Sequence, residues 1–190
     1  MTFVQKAQPV RVEGIALRQD PKAEEGLNKE TLQKILLCKE TTIQDRVKTG
    51  PNCVSTALFI AGEIEKDMFM DPKIAYDKFL SRDAPESGRL QRLDAPVPGC
   101  IVASIVEIQK HDWDPVTYTI EHMDIAAAIL SKPPHVKLLV TYRDGINGAF
   151  EENRFLRYET IRYRYQMGPN ERGHLKVECY RPHALDLVQS

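Results

Sequence analysis

The chain has 190 residues, 42% of them hydrophobic and 28% charged, which excludes a disordered or fibrous protein and allows a core without disulfides or a structural metal. Lys plus Arg is 26 and Asp plus Glu is 27; the formal net charge of −1 argues against a surface dominated by nucleic-acid or anionic-membrane binding. The four cysteines, Cys38, Cys53, Cys100 and Cys179, form no CxxC pair, and no apolar run approaches the roughly 20 residues of a membrane span. Residues 1–6 carry no apolar signal core. The expectation is a cytoplasmic chain with reduced thiols, no membrane span and no cofactor.

Residues 1–27 are mixed and polar and are expected to be an N-terminal extension holding one short strand over 10–17. Asn28 is a helix cap, and Leu32, Ile35 and Leu36 recur at helical spacing through about residue 39. Thr49-Gly50-Pro51-Asn52 is a turn, after which Val54, Ala57, Leu58, Ala61 and Ile64 form one apolar stripe. Asp71 with Pro72 opens another helix, whose expected buried residues are Ile74, Phe79 and Leu80. Beyond Asp94 the pattern changes: Cys100 to Ile108 is rich in β-formers, and the segment from His111 to Pro115 reads as a loop. His122 then stands at the mouth of an apolar run over 125–130. Residues 131–134 form a turn and 136–142 a third strand; 161–166 and 175–180 complete the set, with turns at Asp144-Gly145 and Asn147-Gly148. Helices followed by an antiparallel meander predict an α+β protein.

Cys53 follows a Gly-Pro-Asn turn at the start of an apolar helix. A thiol there meets the positive end of the helix dipole and unpaired backbone N–H groups, which favour thiolate and can stabilise an oxyanion. A nucleophilic cysteine needs a nearby base, and His122 at a strand mouth is the best-placed histidine. The bland reading makes Cys53 a small core residue and His122 a hydrogen-bonded surface group. Cys38, Cys100 and Cys179 sit among apolar neighbours and read as core.

Three segments carry a family resemblance: Gly50-Pro51-Asn52-Cys53-Val54-Ser55-Thr56-Ala57-Leu58, Pro98-Gly99-Cys100-Ile101-Val102, and Glu121-His122-Met123-Asp124 with the small apolar residues after it. Together with a closing Glu178-Cys179-Tyr180-Arg181-Pro182, their layout resembles the NlpC-type branch of the papain-fold cysteine hydrolases, over about residues 28–182. The resemblance implies a papain-like α+β domain at 28–182, with N-terminal helices on an antiparallel, partly barrel-like sheet, and a C-terminal tail at 183–190. It implies Cys53 as nucleophile and His122 as base. Two positions depart from the family: Cys100 replaces the usual acid after Pro-Gly, and no orienting polar residue is evident on the strand after the histidine. If 131–134 turn the hairpin, partners sum to about 265, so His122 faces Arg143, with Thr141 on the same side of that strand. Thr141 is taken as the third position, with Arg143 or no residue as alternatives; His135 lies too near the turn.

The expected function is thiol-dependent hydrolysis or transfer at an amide or ester carbonyl of a peptide, amide or lipid-ester substrate. The alternative is a catalytically silent papain-like domain that serves as a binding module. Two further readings compete. His111, Asp112, Asp114, Glu121, His122 and Asp124 are six potential metal ligands within a short span, without a zinc spacing. Arg154, Phe155, Arg157, Tyr158, Arg162, Tyr163, Arg164 and Tyr165 interleave cations with aromatics, as nucleic-acid binders do. The cysteines stand apart from the acid–histidine cluster, and loop acids and histidines are usually solvated, which favours no metal; the balanced charge and the absence of a recognised module favour no nucleic acid, and the oligomeric state is open.

Overall fold

The computed structural model describes residues 25–40, 51–109, 111, 113–131, 136–143, 156–162, 169–170 and 173–188. The strand expected over 10–17, the turns at 144–148 and residue 135 lie outside these.

Helix α1 (Lys29–Glu40) starts where expected, with the Asn28 Oδ1 accepting the Thr31 N–H at 2.8 Å. Ile35 and Cys38 are buried, whereas Leu36 stays largely in solvent. Helix α2 (Cys53–Ala61) is buried on every side except at Phe59 and stops at Gly62, whose φ of 84° is a left-handed cap. Helix α3 (Pro72–Ala75) opens on Asp71, whose side chain accepts from the Lys73 and Ile74 amides. It widens at once into a single π turn, Tyr76–Leu80. Phe79 and Leu80 are buried as expected, but Ile74 is 62% exposed. The reason is register: in so short an element Ala75 and Phe79, four apart, take the inner face, and Ile74 falls outside it.

The strands are β1 (Gln91–Leu93), β2 (Ile101–Ile108), β3 (Thr117–Ile129), β4 (Lys137–Tyr142), β5 (Arg157–Arg162), β6 (Pro169–Asn170) and β7 (Gly173–Arg181). They form one antiparallel sheet in the order β1-β7-β2-β3-β4-β5, with β6 pairing β7. The fold is α+β. The sheet is open among the described residues, with no ladder joining β5 to β1, so the expected curling towards a barrel does not reach closure. The β3–β4 register pairs Ile125 with Thr141, a sum of 266, one residue from expectation.

Strand β2 is buried on both faces, which is why its sequence reads as a nearly continuous apolar run. Ile101, Ala103 and Ile105 join Val54, Leu58, Met123 and Ile125 in the core beneath the helices. Cys100 and Val102 join Ala126, Leu138, Val140, Val177 and Cys179 on the other face. Helix α2 packs on β3. The chain before α1 is also fitted to this core: Leu27 is buried, and a Cβ on Gly26 would stand 2.5 Å from the Ala127 carbonyl oxygen. At the other end, a 3-10 turn (His183–Val188) is tied to the loop after α2, with the His183 N–H and Nδ1 each 2.8 Å from the Glu63 carboxylate.

Strand β3 corrects one expectation. It begins at Thr117, so His122 is not at a strand mouth but inside a strand of 13 residues. Ser104 pairs with His122 while Ile105 pairs with Ile120, leaving Glu121 as the extra residue of a β-bulge beside the histidine. Among the described residues no helix is long and apolar enough to cross a membrane.

Candidate active site

Cys53 is the first residue of α2, and the turn before it is fastened on three sides. Asn52 is extended, with its side-chain oxygen accepting the Ser55 N–H at 2.9 Å and its own N–H donating to Ser55 Oγ at 3.0 Å. This reciprocal capping box secures the third helical position. Asn52 Nδ2 donates to the Met70 carbonyl at 2.8 Å, tying the cap to the chain before α3. The first intrahelical bond runs from the Thr56 N–H to the Asn52 carbonyl, 3.0 Å. The Cys53 and Val54 N–H groups thus have no acceptor among the described residues, and both point from the positive end of the helix.

The His122 side chain is 20% exposed and its ring is held from three directions. Nε2 lies 2.9 Å from Asp124 Oδ1, the ring stacks on Tyr142 at 4.5 Å between centroids, and the Cys53 sulfur is near enough to act on its protonation. With Nε2 taken by the carboxylate, Nδ1 is the nitrogen available to sulfur. Burial by itself pushes the imidazole pKa down. Hydrogen bonding of the ring to the Asp124 carboxylate and then to Cys53, with the charges of the same two groups, outweighs burial and raises it to about 10. At neutral pH His122 is therefore an imidazolium between the Cys53 sulfur and a buried carboxylate.

The third member differs from expectation. Thr141 spends its hydroxyl oxygen on the Ile125 N–H at 3.0 Å, closing the ladder between β3 and β4, and does not orient His122. Arg143, the alternative, is 1% exposed and turns to the helical side. It donates to the Cys38 carbonyl at 2.8 Å and lies 3.4 Å from Asp67 Oδ2. The carboxylate on His122 is that of Asp124, which the sequence offered in the segment around His122 and among possible metal ligands but not as the orienting group. The signal was present: residues two apart on a strand share a face, so His-x-Asp puts acid and imidazole side by side.

Beneath the site, Asp67 joins the two halves of the fold. It accepts the Ser55 hydroxyl at 2.8 Å and the Thr56 hydroxyl at 3.0 Å, both from the first turn of α2, while pairing with Arg143 beyond the end of β4. The Arg143 Nε is buried with no hydrogen-bond partner among the described residues. Burial, then the charge of Asp67, pushes the Cys38 thiol up to about 12, against a smaller lowering by Arg143. Cys100 is raised well beyond the ordinary thiol range by its hydrogen bond to Cys179, then by burial. All four cysteines are unbridged, and Cys38, Cys100 and Cys179 are core thiols as expected.

The rival ligand cluster divides into two pairs, His111 Nδ1 with Asp114 Oδ2 at 2.9 Å and His122 with Asp124. Among the described residues no group of three His, Cys, Asp or Glu side chains converges on a metal position; residue 112 is outside them. Of the Arg–aromatic segment, Arg157, Tyr158 and Arg162 lie on β5, with Tyr158 packed partly into the core, and Arg154, Phe155, Tyr163, Arg164 and Tyr165 fall outside the described residues. No family model, curated protein or solved structure matches the chain, and the Cys53–His122–Asp124 constellation stands on its own geometry.

Proposed function

We propose that this chain is a cysteine hydrolase or acyl transferase of papain-like, NlpC-type arrangement, acting on an amide or ester carbonyl. The observation that carries the reading is the His122 ring, bonded to the Asp124 carboxylate and near enough to the Cys53 sulfur to be perturbed by it. The nucleophile on a helix start and the base on an antiparallel strand resemble that family's order.

Each residue then has a task. Cys53 Sγ attacks the carbonyl carbon as thiolate, and the Cys53 and Val54 N–H groups receive the developing oxyanion. His122 gives its Nδ1 proton to the departing amine or alkoxide, leaving a thioester on Cys53. It then takes a proton from water, or from an acceptor alcohol or amine, as that group attacks the thioester and frees the thiolate. Asp124 fixes the ring and stabilises its charge.

A second reading, a silent domain that binds without turnover, is favoured by one observation: Cys53 is only 5% exposed. Iodoacetamide labelling of the native protein separates the two. The hydrolase reading expects Cys53 to alkylate first and well below pH 8, with His122→Ala removing that advantage. If Cys53 reacts no faster than a free thiol, or only in denaturant, the hydrolase reading fails and the silent domain stands.

A further inference from the structure

An unassigned cleft of about 760 Å³ lies between the π turn, β1, the start of β3 and the end of β7. Its inner wall, with Leu80, Ile105 and Tyr180, belongs to the core on the helical side of the sheet, the side on which Cys53 lies. Ile105 pairs with Ile120 and the neighbouring Ser104 with His122, so the cleft wall and the backbone of the histidine lie on consecutive rungs of one ladder, whose side chains alternate between the faces. Tyr118, on the cleft wall, precedes His122 by four residues, about 13 Å of strand at most.

The lining carries five cationic side chains against three acids. Two of the acids are already engaged: Asp77 with Lys73, and Glu178 with both Arg92 at 3.2 Å and the Tyr180 hydroxyl. Lys176 lies 3.5 Å from Glu107 and over the Tyr118 ring. Arg82 and Arg89 are different. Both are exposed, Arg89 Nη1 donates to the Arg82 carbonyl at 2.8 Å, and neither guanidinium has a carboxylate partner among the described residues. Arg82 also lies close enough to Tyr76, itself stacked on Tyr118 at 5.5 Å, to act electrostatically on its hydroxyl. Asp83 is the one remaining acid, which leaves the mouth of the cleft with an excess of bidentate donors.

We propose that this cleft binds the anionic end, carboxylate or phosphate, of the substrate, with Arg82 and Arg89 as its anchors and the tyrosine-lined wall against the adjoining apolar part. As a substrate subsite this rests on the hydrolase reading; as an anion site it does not, and the test keeps the two apart. The Cys53→Ala protein is titrated calorimetrically with phenyl phosphate, hippurate and benzylamine. The expected result is one phenyl phosphate or hippurate per chain, the tighter of the two identifying phosphate or carboxylate as the natural group, and no benzylamine binding. Arg82→Ala and Arg89→Ala each weaken the bound anion about tenfold, and Lys66→Ala, outside the cleft, leaves it unchanged. Binding of benzylamine as tight as that of the anions, no binding of either anion, or affinity unmoved by both arginine variants would overturn the proposal. Because the titration uses a chain without its thiol, failure of the iodoacetamide test leaves its result intact.

Discussion

Replacing Asp124 by Asn removes one charge from the His122 ring and keeps an oxygen in hydrogen-bond position. The lost interaction is a charge-assisted bond of 2.9 Å from a carboxylate that is almost wholly buried. Such a bond contributes about 1.5–3 kcal/mol, which at about 1.4 kcal/mol per pKa unit lowers the imidazolium by about one to two units. From about 10, His122 is expected to titrate near pH 8–9, still above its ordinary value because Cys53 remains its partner. The sign for stability follows. A histidine whose folded pKa is raised stabilises the fold fully below its unfolded pKa of about 6.5, and that stabilisation is lost as pH rises through the folded value. In the parent protein the loss is complete near pH 10; in Asp124→Asn it is complete one to two units sooner. The assay is a proton–carbon NMR titration of the His122 Cε1–H, assigned by its disappearance in His122→Gln, beside urea unfolding at pH 6, 8 and 10. A midpoint within a few tenths of a unit of the parent would refute the role given to Asp124.

Three other outcomes are expected. Asn52→Ala removes the α2 cap and the bond to Met70 and should cost about 2 kcal/mol in urea unfolding, while Asn52→Asp keeps the cap and recovers part of it. Arg143→Ala strands Asp67 beneath helix α2 and should cost about 3–5 kcal/mol; the double change Asp67→Asn with Arg143→Met should cost less than that single one, and a larger loss would contradict the account of the buried pair. Gly26→Ala drives a Cβ towards the Ala127 carbonyl and should lower stability by about 1–3 kcal/mol, whereas Gly88→Ala, whose nearest neighbour is at 3.4 Å, should leave Tm nearly unchanged.

Local signals carried much of this fold into the sequence. Asn28, Asn52 and Asp71 mark helix starts because a short polar side chain answers orphan amides within three residues, and each does so here. The β3–β4 register was legible within one residue because a hairpin fixes it. What was not legible depends on distant geometry. The π turn after Ile74 has no clear sequence mark. The bulge at Glu121 appears only when β2 is laid beside β3, and without it His122 looks like the first residue of a strand. Thr141 seemed the orienting group because it lies across the ladder from the histidine's neighbours, but a buried backbone amide claimed its hydroxyl first. Asp124 went unread for the opposite reason: its partner is on its own strand, not across it.

The burial of helix α2 on nearly every side bears on how the protein would lose function. Amides in the most enclosed elements exchange with solvent only when the whole molecule opens, whereas exposed loops open at little free-energy cost. Residues of α2 beyond its first turn should therefore be among the last to exchange deuterium, and the sulfur at its head rides on the slowest-opening part of the molecule. Partial melting of the rim leaves Cys53 in register. On the hydrolase reading, thermal inactivation should then coincide with global unfolding instead of preceding it, in contrast to sites assembled on mobile lids.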